Sequence, residues 1–270
     1  QWERDEMFPD WVFKRAGELG IIGAHYPEEH GGGGGDYWFS VAKAEEYVGI
    51  GAGGVAMGLL VQSDMATPCI SDLGTREQID EFLKPALRGE RIAAIGVSEP
   101  GAGSDVAGIR TVARRVGGDY VVNGAKTFIS NGQIGNLFIV ACKTDPNANP
   151  PHKGMSLILV EGDTPGFVRG RRLAKLGLKG QDTSELFFED CRVPVGNLLG
   201  SMIRTRDNAT MMASGNQMNV ATTQFTAWYR VPLDGDLMPI GDVSSLIGSA
   251  PMRADVPDDQ RGDWGGCDAV

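Results

Sequence analysis

Apolar residues recur at helical intervals through the first ninety residues of the chain. Phe8, Trp11 and Val12 have the spacing of one helix face, and a similar pattern recurs as far as Leu83. Such a face is typical of a helix that buries one side against its neighbours. The pattern predicts a helical domain over residues 1–90.

Two stretches interrupt this helical pattern. Tyr26–Gly35, with the sequence YPEEHGGGGG, and Ala66–Cys69, with the sequence ATPC, contain the prolines and glycines that break helices. Thr75 lies three residues before Gln78, which is the spacing of a capping box. The last helix of the region is therefore expected to begin after Thr75.

Between residues 91 and 200, short apolar runs alternate with turn dipeptides, as in β proteins. The runs are Ile92–Val97, Tyr120–Asn123, Lys126–Ser130, Leu137–Ala141, Met155–Val160, Phe167–Arg169 and Ser184–Phe188. The dipeptides are Gly117-Gly118, Asn123-Gly124, Asn131-Gly132 and Pro165-Gly166. We predict a β sandwich or barrel here, and an α+β fold for the chain.

The composition changes abruptly near residue 200. No glutamate follows Glu189 and no lysine follows Lys179. Because exposed helix faces draw on glutamate and lysine, their loss leaves few helix formers for solvent-facing positions. We predict a poorly structured tail over residues 201–270. A shift of reading frame near Gly200 would explain the change.

Charge and composition exclude several classes of function. The 270 residues carry a formal net charge of −10, which argues against nucleic acid as a partner. The four cysteines and three histidines have no metal-ligand spacing, so we expect no metal and reduced thiols. No apolar run approaches the roughly 20 residues of a membrane span. The stretch QWERDEMFPD resembles neither a signal nor a transit peptide, and we predict a cytoplasmic protein.

The stretch SEPGAGSD, Ser98–Asp105, follows the first predicted strand. Its glycines let backbone amides approach a ligand, and successive N–H groups beside hydroxyls form a nest for an anion such as phosphate. The spacing matches neither G-x-G-x-x-G nor a P-loop. A tight structural turn that uses glycine for positive φ is the alternative.

The stretch NGAKTFISNG, Asn123–Gly132, carries an aromatic and a hydroxyl two positions apart, at Phe128 and Ser130. Alternation along a strand places both on one face. A flat heterocycle such as a flavin needs an apolar surface over its ring and hydrogen-bond donors near its reactive nitrogen. The alternative is an ordinary strand with Phe128 in the core.

Four segments together resemble the acyl-CoA dehydrogenases, most of all the long-chain type. They are YPEEHGG (Tyr26–Gly32), IGVSEPGAGSD (Ile95–Asp105), NGAKTFISNG (Asn123–Gly132) and LGLKGQDTSELFFEDCRVP (Leu176–Pro194). The resemblance implies an N-terminal helical domain over 1–90, a middle β domain over 91–200, and FAD bound between the middle domain and helices. The family's C-terminal four-helix domain has no counterpart after Gly200, so we expect it to be missing or replaced.

The resemblance also implies the residues that contact FAD. Those along the flavin ring would be Ile95, Val97 and Ser98. Those at the pyrophosphate would be Gly103 and Ser104, and Ser104 would also touch the acyl-CoA. Those covering the ring near N5 would be Phe128, Ile129 and Ser130.

The implied reaction is the α,β-dehydrogenation of a fatty acyl-CoA in fatty-acid oxidation, with an electron-transfer flavoprotein as acceptor and a homotetrameric assembly. The family's catalytic base is a glutamate of the C-terminal domain. Here it stays unassigned, because Glu99 and Glu189 lie in β-domain motifs, and weak or absent activity is expected. The alternatives are a non-catalytic flavin-binding remnant or partner subunit, and an acyl-CoA oxidase or flavin monooxygenase of this fold.

Overall fold

The computed structural model describes residues 1–200, and the predicted tail at 201–270 lies outside the described residues. Short helices fill the first part of the chain. They are α1 (Trp2–Asp5), α2 (Trp11–Glu18), α3 (Tyr37–Gly49), α4 (Gly53–Leu60), α5 (Pro68–Leu73), α6 (Arg76–Gln78) and α7 (Lys84–Leu87). π-helical turns connect α4 to α5 at Val61–Ala66, and α6 to α7 at Ile79–Leu83.

The capping box predicted at the start of α6 is confirmed. The Thr75 hydroxyl accepts the amide hydrogen of Gln78 at 3.3 Å, and the Gln78 side-chain oxygen accepts that of Thr75 at 2.9 Å. The predicted break at Ala66–Cys69 is only a change of helical pitch. Thr67 keeps helical angles (φ −75°, ψ −21°), and Pro68 begins α5, where its missing N–H costs no hydrogen bond.

The second part of the chain forms one sheet. Its strands are β1 (Ala93–Gly96), β2 (Val112–Val116), β3 (Asp119–Ser130), β4 (Leu137–Lys143), β5 (Met155–Glu161), β6 (Phe167–Arg172), β7 (Thr183–Pro194) and β8 (Leu198–Leu199). Their order is β6-β7-β3-β2-β4-β5-β8, with β1 parallel to β4. The predicted α+β fold, helical first and β second, is confirmed.

Two features of β2 and β3 differ from the prediction. Asn123-Gly124 lies inside β3 and forms no turn, because β3 pairs with β2 on one side and β7 on the other. The register between β3 and β7 shifts at a bulge between Val122 and Gly124. Glycine is required at this bulge because a Cβ at Gly124 would lie 2.4 Å from Thr111 Oγ1. The strand β2 was absent from the predicted strands because, of its five residues, only Ala113 is buried.

Two hydrophobic cores lie on opposite faces of β4. Leu137 and Ile139 belong to the first core, which also contains helical residues such as Phe13. Phe138 and Val140 belong to the second core, which is formed by the strands alone. Alternation along β4 thus buries both of its faces.

Candidate cofactor-binding site

The glycine-rich stretch forms a tight turn just beyond the end of β1. The amide of Glu99 donates to the carbonyl of Ala102 at 2.8 Å, and the amide of Ala102 donates back to Glu99 at 3.1 Å. Pro100 and Gly101 occupy the tip of this turn. Gly103 and Ser104 follow as exposed residues, before a 3-10 turn begins. The predicted position at the end of the first strand is confirmed.

A buried ion pair connects this turn to β3. Glu99 Oε1 lies 2.8 Å from Lys126 Nζ, and the two side chains are 6% and 0% exposed. Lys126 Nζ also donates to the carbonyl of Val97 at 3.0 Å. The Glu99 carboxylate further accepts the amide hydrogens of Arg110 at 2.5 Å and Thr111 at 3.0 Å. The carboxylate therefore binds one ammonium and two amide groups.

The charge state of this pair follows from its surroundings. Burial alone would raise the pKa of Glu99, but the hydrogen bonds from Lys126 and Thr111 outweigh it, and the pKa is lowered. Burial lowers the pKa of Lys126, and the carboxylate of Glu99 opposes that effect. Glu99 is an anion whose oxygens are already engaged, which makes it unsuitable as a general base.

A backbone hydrogen bond brings the two predicted flavin segments together. The amide of Thr127 donates to the carbonyl of Ser98 at 2.9 Å. Ser98 precedes the glycine turn, and Thr127 precedes Phe128. The turn after β1 and the last residues of β3 are therefore neighbours, although almost thirty positions separate them in the sequence.

Phe128 has an unusual conformation for a large side chain. Its φ is +59°, in the left-handed region that disfavours residues with a Cβ, and its side chain is 69% exposed. A register shift between Lys126 and Ile129 accompanies it. An exposed aromatic in a strained backbone position is typical of a residue placed for a ligand rather than for the core. The alternative with Phe128 in the core is wrong.

The remaining predicted site residues lie in three environments. Ile95 and Val97 are partly buried and pack against the first core. Ile129 belongs to the second core, so its side chain is buried away from them. Ser130 is half-buried at the end of β3. Any contact between Ile129 and a ligand would therefore use its backbone.

A third motif segment holds the turn after β3 in place. The amide of Asn131 donates to the carbonyl of Asp182 at 3.2 Å, and the amide of Gln133 donates to the Asp182 carboxylate at 2.6 Å. Burial raises the pKa of Asp182, against the hydrogen bonds that its carboxylate accepts from the amides of Gln133 and Ile134. Asp182 lies in the segment LGLKGQDTSEL, so three of the four sequence motifs meet near the end of β3.

Sequence reasoning missed the parts played by Lys126 and Asn131. A lysine inside a strand is normally read as solvent-facing, yet Lys126 is buried. The sequence did offer one signal. Lys126 and Glu99 carry opposite charges, and they lie in the two motifs of the same predicted site. Asn131 has φ +60°, which fits the predicted turn at Asn131-Gly132 but gives no sign of its side-chain contacts.

The open side of the glycine turn suits a phosphate group. A Cβ added at Gly103 would meet no atom within 4 Å, so packing within residues 1–200 does not require glycine there. Within that same range the Gly103 amide donates no hydrogen bond. The Gly103 amide is a donor for a phosphate oxygen, and Phe128 supplies an aromatic face. The residues present fit a flavin dinucleotide.

Comparisons with known proteins identify the family. Residues 1–90 match the family model "Acyl-CoA dehydrogenase, N-terminal domain", and residues 94–191 match "Acyl-CoA dehydrogenase, middle domain". The long-chain specific acyl-CoA dehydrogenase of Mus musculus is 44% identical over 200 residues, which are 74% of this chain and 46% of that protein.

Two solved structures are similar in fold and sequence. An acyl-CoA dehydrogenase from Geobacillus kaustophilus is 44% identical with a TM-score of 0.75, over 82% of this chain and 57% of that one. An acyl-CoA dehydrogenase from Bacillus anthracis complexed with FAD is 38% identical with a TM-score of 0.64, over 70% of this chain and 32% of that one.

The fold and the matches define a flavoprotein dehydrogenase architecture. The chain belongs to the acyl-CoA dehydrogenase family. It spans about half the length of the curated relatives it matches. None of the described helices has the length and apolar character needed to cross a bilayer. The mouse relative is named as mitochondrial, and a cytoplasmic location for this chain stays a prediction.

Proposed function

We propose that this chain binds FAD and carries the flavin-binding part of an enzyme that dehydrogenates a fatty acyl-CoA in fatty-acid oxidation. One observation carries the proposal. The hydrogen bond between Thr127 and Ser98, 2.9 Å long, brings the glycine turn beside the exposed ring of Phe128. The Gly103 amide, a donor for phosphate, and an aromatic surface for a flat ring then lie on neighbouring segments.

The residues of this site would divide the binding of FAD among them. The first group, on and just after β1, lies along the ring and consists of Ile95, Val97 and Ser98. The second group binds the pyrophosphate through Gly103 and Ser104, with Ser104 also reaching the acyl-CoA. The third group covers the ring near N5 and consists of Phe128, Ile129 through its backbone, and Ser130.

Catalysis would need a base, which Glu99 does not provide. When bound, FAD supplies a hydride acceptor for the β-hydrogen of the acyl group. The α-proton must leave to a carboxylate held about 3 Å away. Glu99 is engaged by Lys126 and two amides, and no glutamate follows Glu189 in the chain. We therefore propose weak or absent turnover by the 270 residues alone.

The lack of any glutamate after Glu189 also favours a second candidate, a non-catalytic flavin-binding protein of the same fold. Both candidates bind FAD, and they differ in whether acyl-CoA reduces it. For the first candidate we propose an electron-transfer flavoprotein as acceptor and a homotetrameric assembly, as the family resemblance implies.

The decisive experiment has two stages. FAD binding is measured first, by fluorescence titration of the purified chain. The complex is then mixed anaerobically with a saturated acyl-CoA, and flavin absorbance is followed. We expect binding with little bleaching, and faster bleaching when the C-terminal domain of a close relative is fused after Gly200. An absence of FAD binding would refute the proposal.

Two further outcomes separate the alternatives. Rapid bleaching by the unmodified chain would show that it already holds a competent base. Binding without bleaching in either protein would favour the non-catalytic candidate. Rapid reoxidation of the reduced fusion by oxygen would instead indicate an oxidase or monooxygenase.

A further inference from the structure

We propose that Glu99 and Lys126 form a positioning pair, which fixes the glycine turn relative to Phe128 and thereby sets the affinity for FAD. This inference rests on the proposed function. It adds to the flavin site two buried residues, whose side chains are 6% and 0% exposed.

The pair lies between the two segments that would hold the cofactor. Lys126 is two residues before Phe128, and Glu99 directly follows Ser98. Lys126 Nζ bonds both Glu99 Oε1 at 2.8 Å and the carbonyl of Val97 at 3.0 Å. One ammonium group therefore fixes the end of β3 to both sides of Ser98.

Glu99 also closes the glycine segment at both ends. Its backbone exchanges two hydrogen bonds with Ala102, and its carboxylate accepts the amides of Arg110 and Thr111. Glu99 therefore contacts both ends of the exposed stretch around Gly103. A shift of Glu99 would move the whole stretch.

Stability alone does not account for such a pair. Taking two charges out of water carries a large desolvation penalty, and a buried ion pair often contributes no more stability than an apolar pair of the same shape. What the pair does supply is direction, because an ammonium and a carboxylate that make four hydrogen bonds in all favour one arrangement of the backbone. Positioning is the role that the contacts support.

The chain offers a matched control in a second buried ion pair. Lys43 Nζ lies 2.8 Å from Asp64 Oδ2, with side chains 5% and 19% exposed. It connects α3 to the π-helical turn after α4, and its hydrogen bonds go to Ser63 and Asp64. It therefore has the same chemistry and similar burial but none of the contacts to the glycine turn or β3.

The experiment compares the double variants Glu99→Gln/Lys126→Met and Lys43→Met/Asp64→Asn. FAD affinity is measured by fluorescence titration, and folding by the urea midpoint of each protein. We expect the first variant to bind FAD about tenfold more weakly. This is the change expected if the displaced turn loses one hydrogen bond to FAD, since tenfold corresponds to about 1.4 kcal/mol. The control should stay within about twofold, since the binding segments keep their contacts.

Either of two results would overturn the inference. One is a folded Glu99→Gln/Lys126→Met protein that binds FAD as the unaltered chain does. The other is an equal loss in both double variants, which would trace affinity to general stability. No binding by the unaltered chain would overturn the proposed function as well. If the first variant fails to fold, the single variant Glu99→Gln removes the charge but keeps the size of the side chain, and unchanged FAD affinity in it would overturn the inference.

Discussion

The side-chain amide of Asn131 donates to the backbone carbonyl of Gly58 at 3.0 Å, joining the turn after β3 to helix α4. The same amide donates to the carbonyl of Ala93 in β1 at 3.2 Å. Asn131 is fully buried, with φ +60°. One side chain thus connects the turn after β3 to the helical region and to β1.

Asn131→Ala should lower the free energy of unfolding by about 1–3 kcal/mol, because two buried carbonyls lose a donor. Alanine also tolerates the left-handed conformation poorly. Asn131→Gly separates the two effects, since it accepts the backbone angles but makes no hydrogen bond, and we expect a smaller loss. Urea unfolding measures both. Equal midpoints for the parent and Asn131→Ala would contradict the role assigned to this contact.

The opening at Gly103 predicts a variant that loses ligand but keeps its fold. Gly103→Val places its side chain where no described atom lies within 4 Å, so the urea midpoint should barely change. FAD should bind more weakly, because the side chain occupies the close approach to the pyrophosphate. Gly118→Val, in the open hairpin turn between β2 and β3, is the matched control. Equal FAD affinity in the parent, Gly103→Val and Gly118→Val would argue against a pyrophosphate site at Gly103.

Phe128 should matter to the ligand far more than to the fold. Its side chain is 69% exposed, so Phe128→Ala should change the free energy of unfolding by no more than about 0.5 kcal/mol. FAD affinity should fall, because the aromatic surface over the ring is lost, and Phe128→Tyr should retain it. Titration and urea unfolding of both variants test this. A large stability loss with unchanged FAD affinity would identify Phe128 as a packing residue.

His25 predicts a pH dependence of stability. Burial lowers its pKa from the ordinary value of 6.5, with Asp64 raising and Lys43 lowering it, and Nδ1 has no hydrogen-bond partner among residues 1–200. At pH values between the lowered pKa and 6.5, His25 binds a proton in the unfolded chain but not in the folded protein. The free energy of unfolding should therefore decrease as the pH falls through this range. Below the lowered pKa this effect should level off.

The measurement is the urea midpoint of the parent and of His25→Phe, at pH values of about 7.5 and 5.5 on either side of the ordinary histidine pKa. The phenylalanine variant lacks the titrating group and should lose less stability on acidification. Parallel decreases in the two proteins would assign the pH dependence to other residues.

Sequence patterns predicted the elements whose burial follows a simple rule. The strands β4 and β5 read as continuous apolar runs because both of their faces are buried. The strand β2 was not predicted because it lacks an apolar run. Arg114 and Arg115 are exposed, and Ala113 is its one buried residue. Asn123-Gly124 has the composition of a turn, but pairing on both sides of β3 overrides that preference.

The candidate site likewise contains features that a local sequence pattern predicts and contacts that it does not. The glycine turn and Phe128 could be found locally, since the turn needs particular residue types and the aromatic is a neighbour of a hydroxyl. The contact between Glu99 and Lys126 joins residues 27 positions apart. No local pattern predicts such a pair, because it depends on which strand lies beside which.

The two-residue strand β8 has a consequence for association between chains. It pairs with Leu157 and Ile158 of β5, one of the most apolar strands of the sheet. Gln78 of α6 holds it there, by donating to the carbonyls of Gly196 at 2.7 Å and Leu198 at 2.9 Å. An uncovered edge of that kind would offer free backbone groups to a second chain. A glutamine of the helical region, more than a hundred positions away, thus helps to hold the short strand that covers this edge of β5.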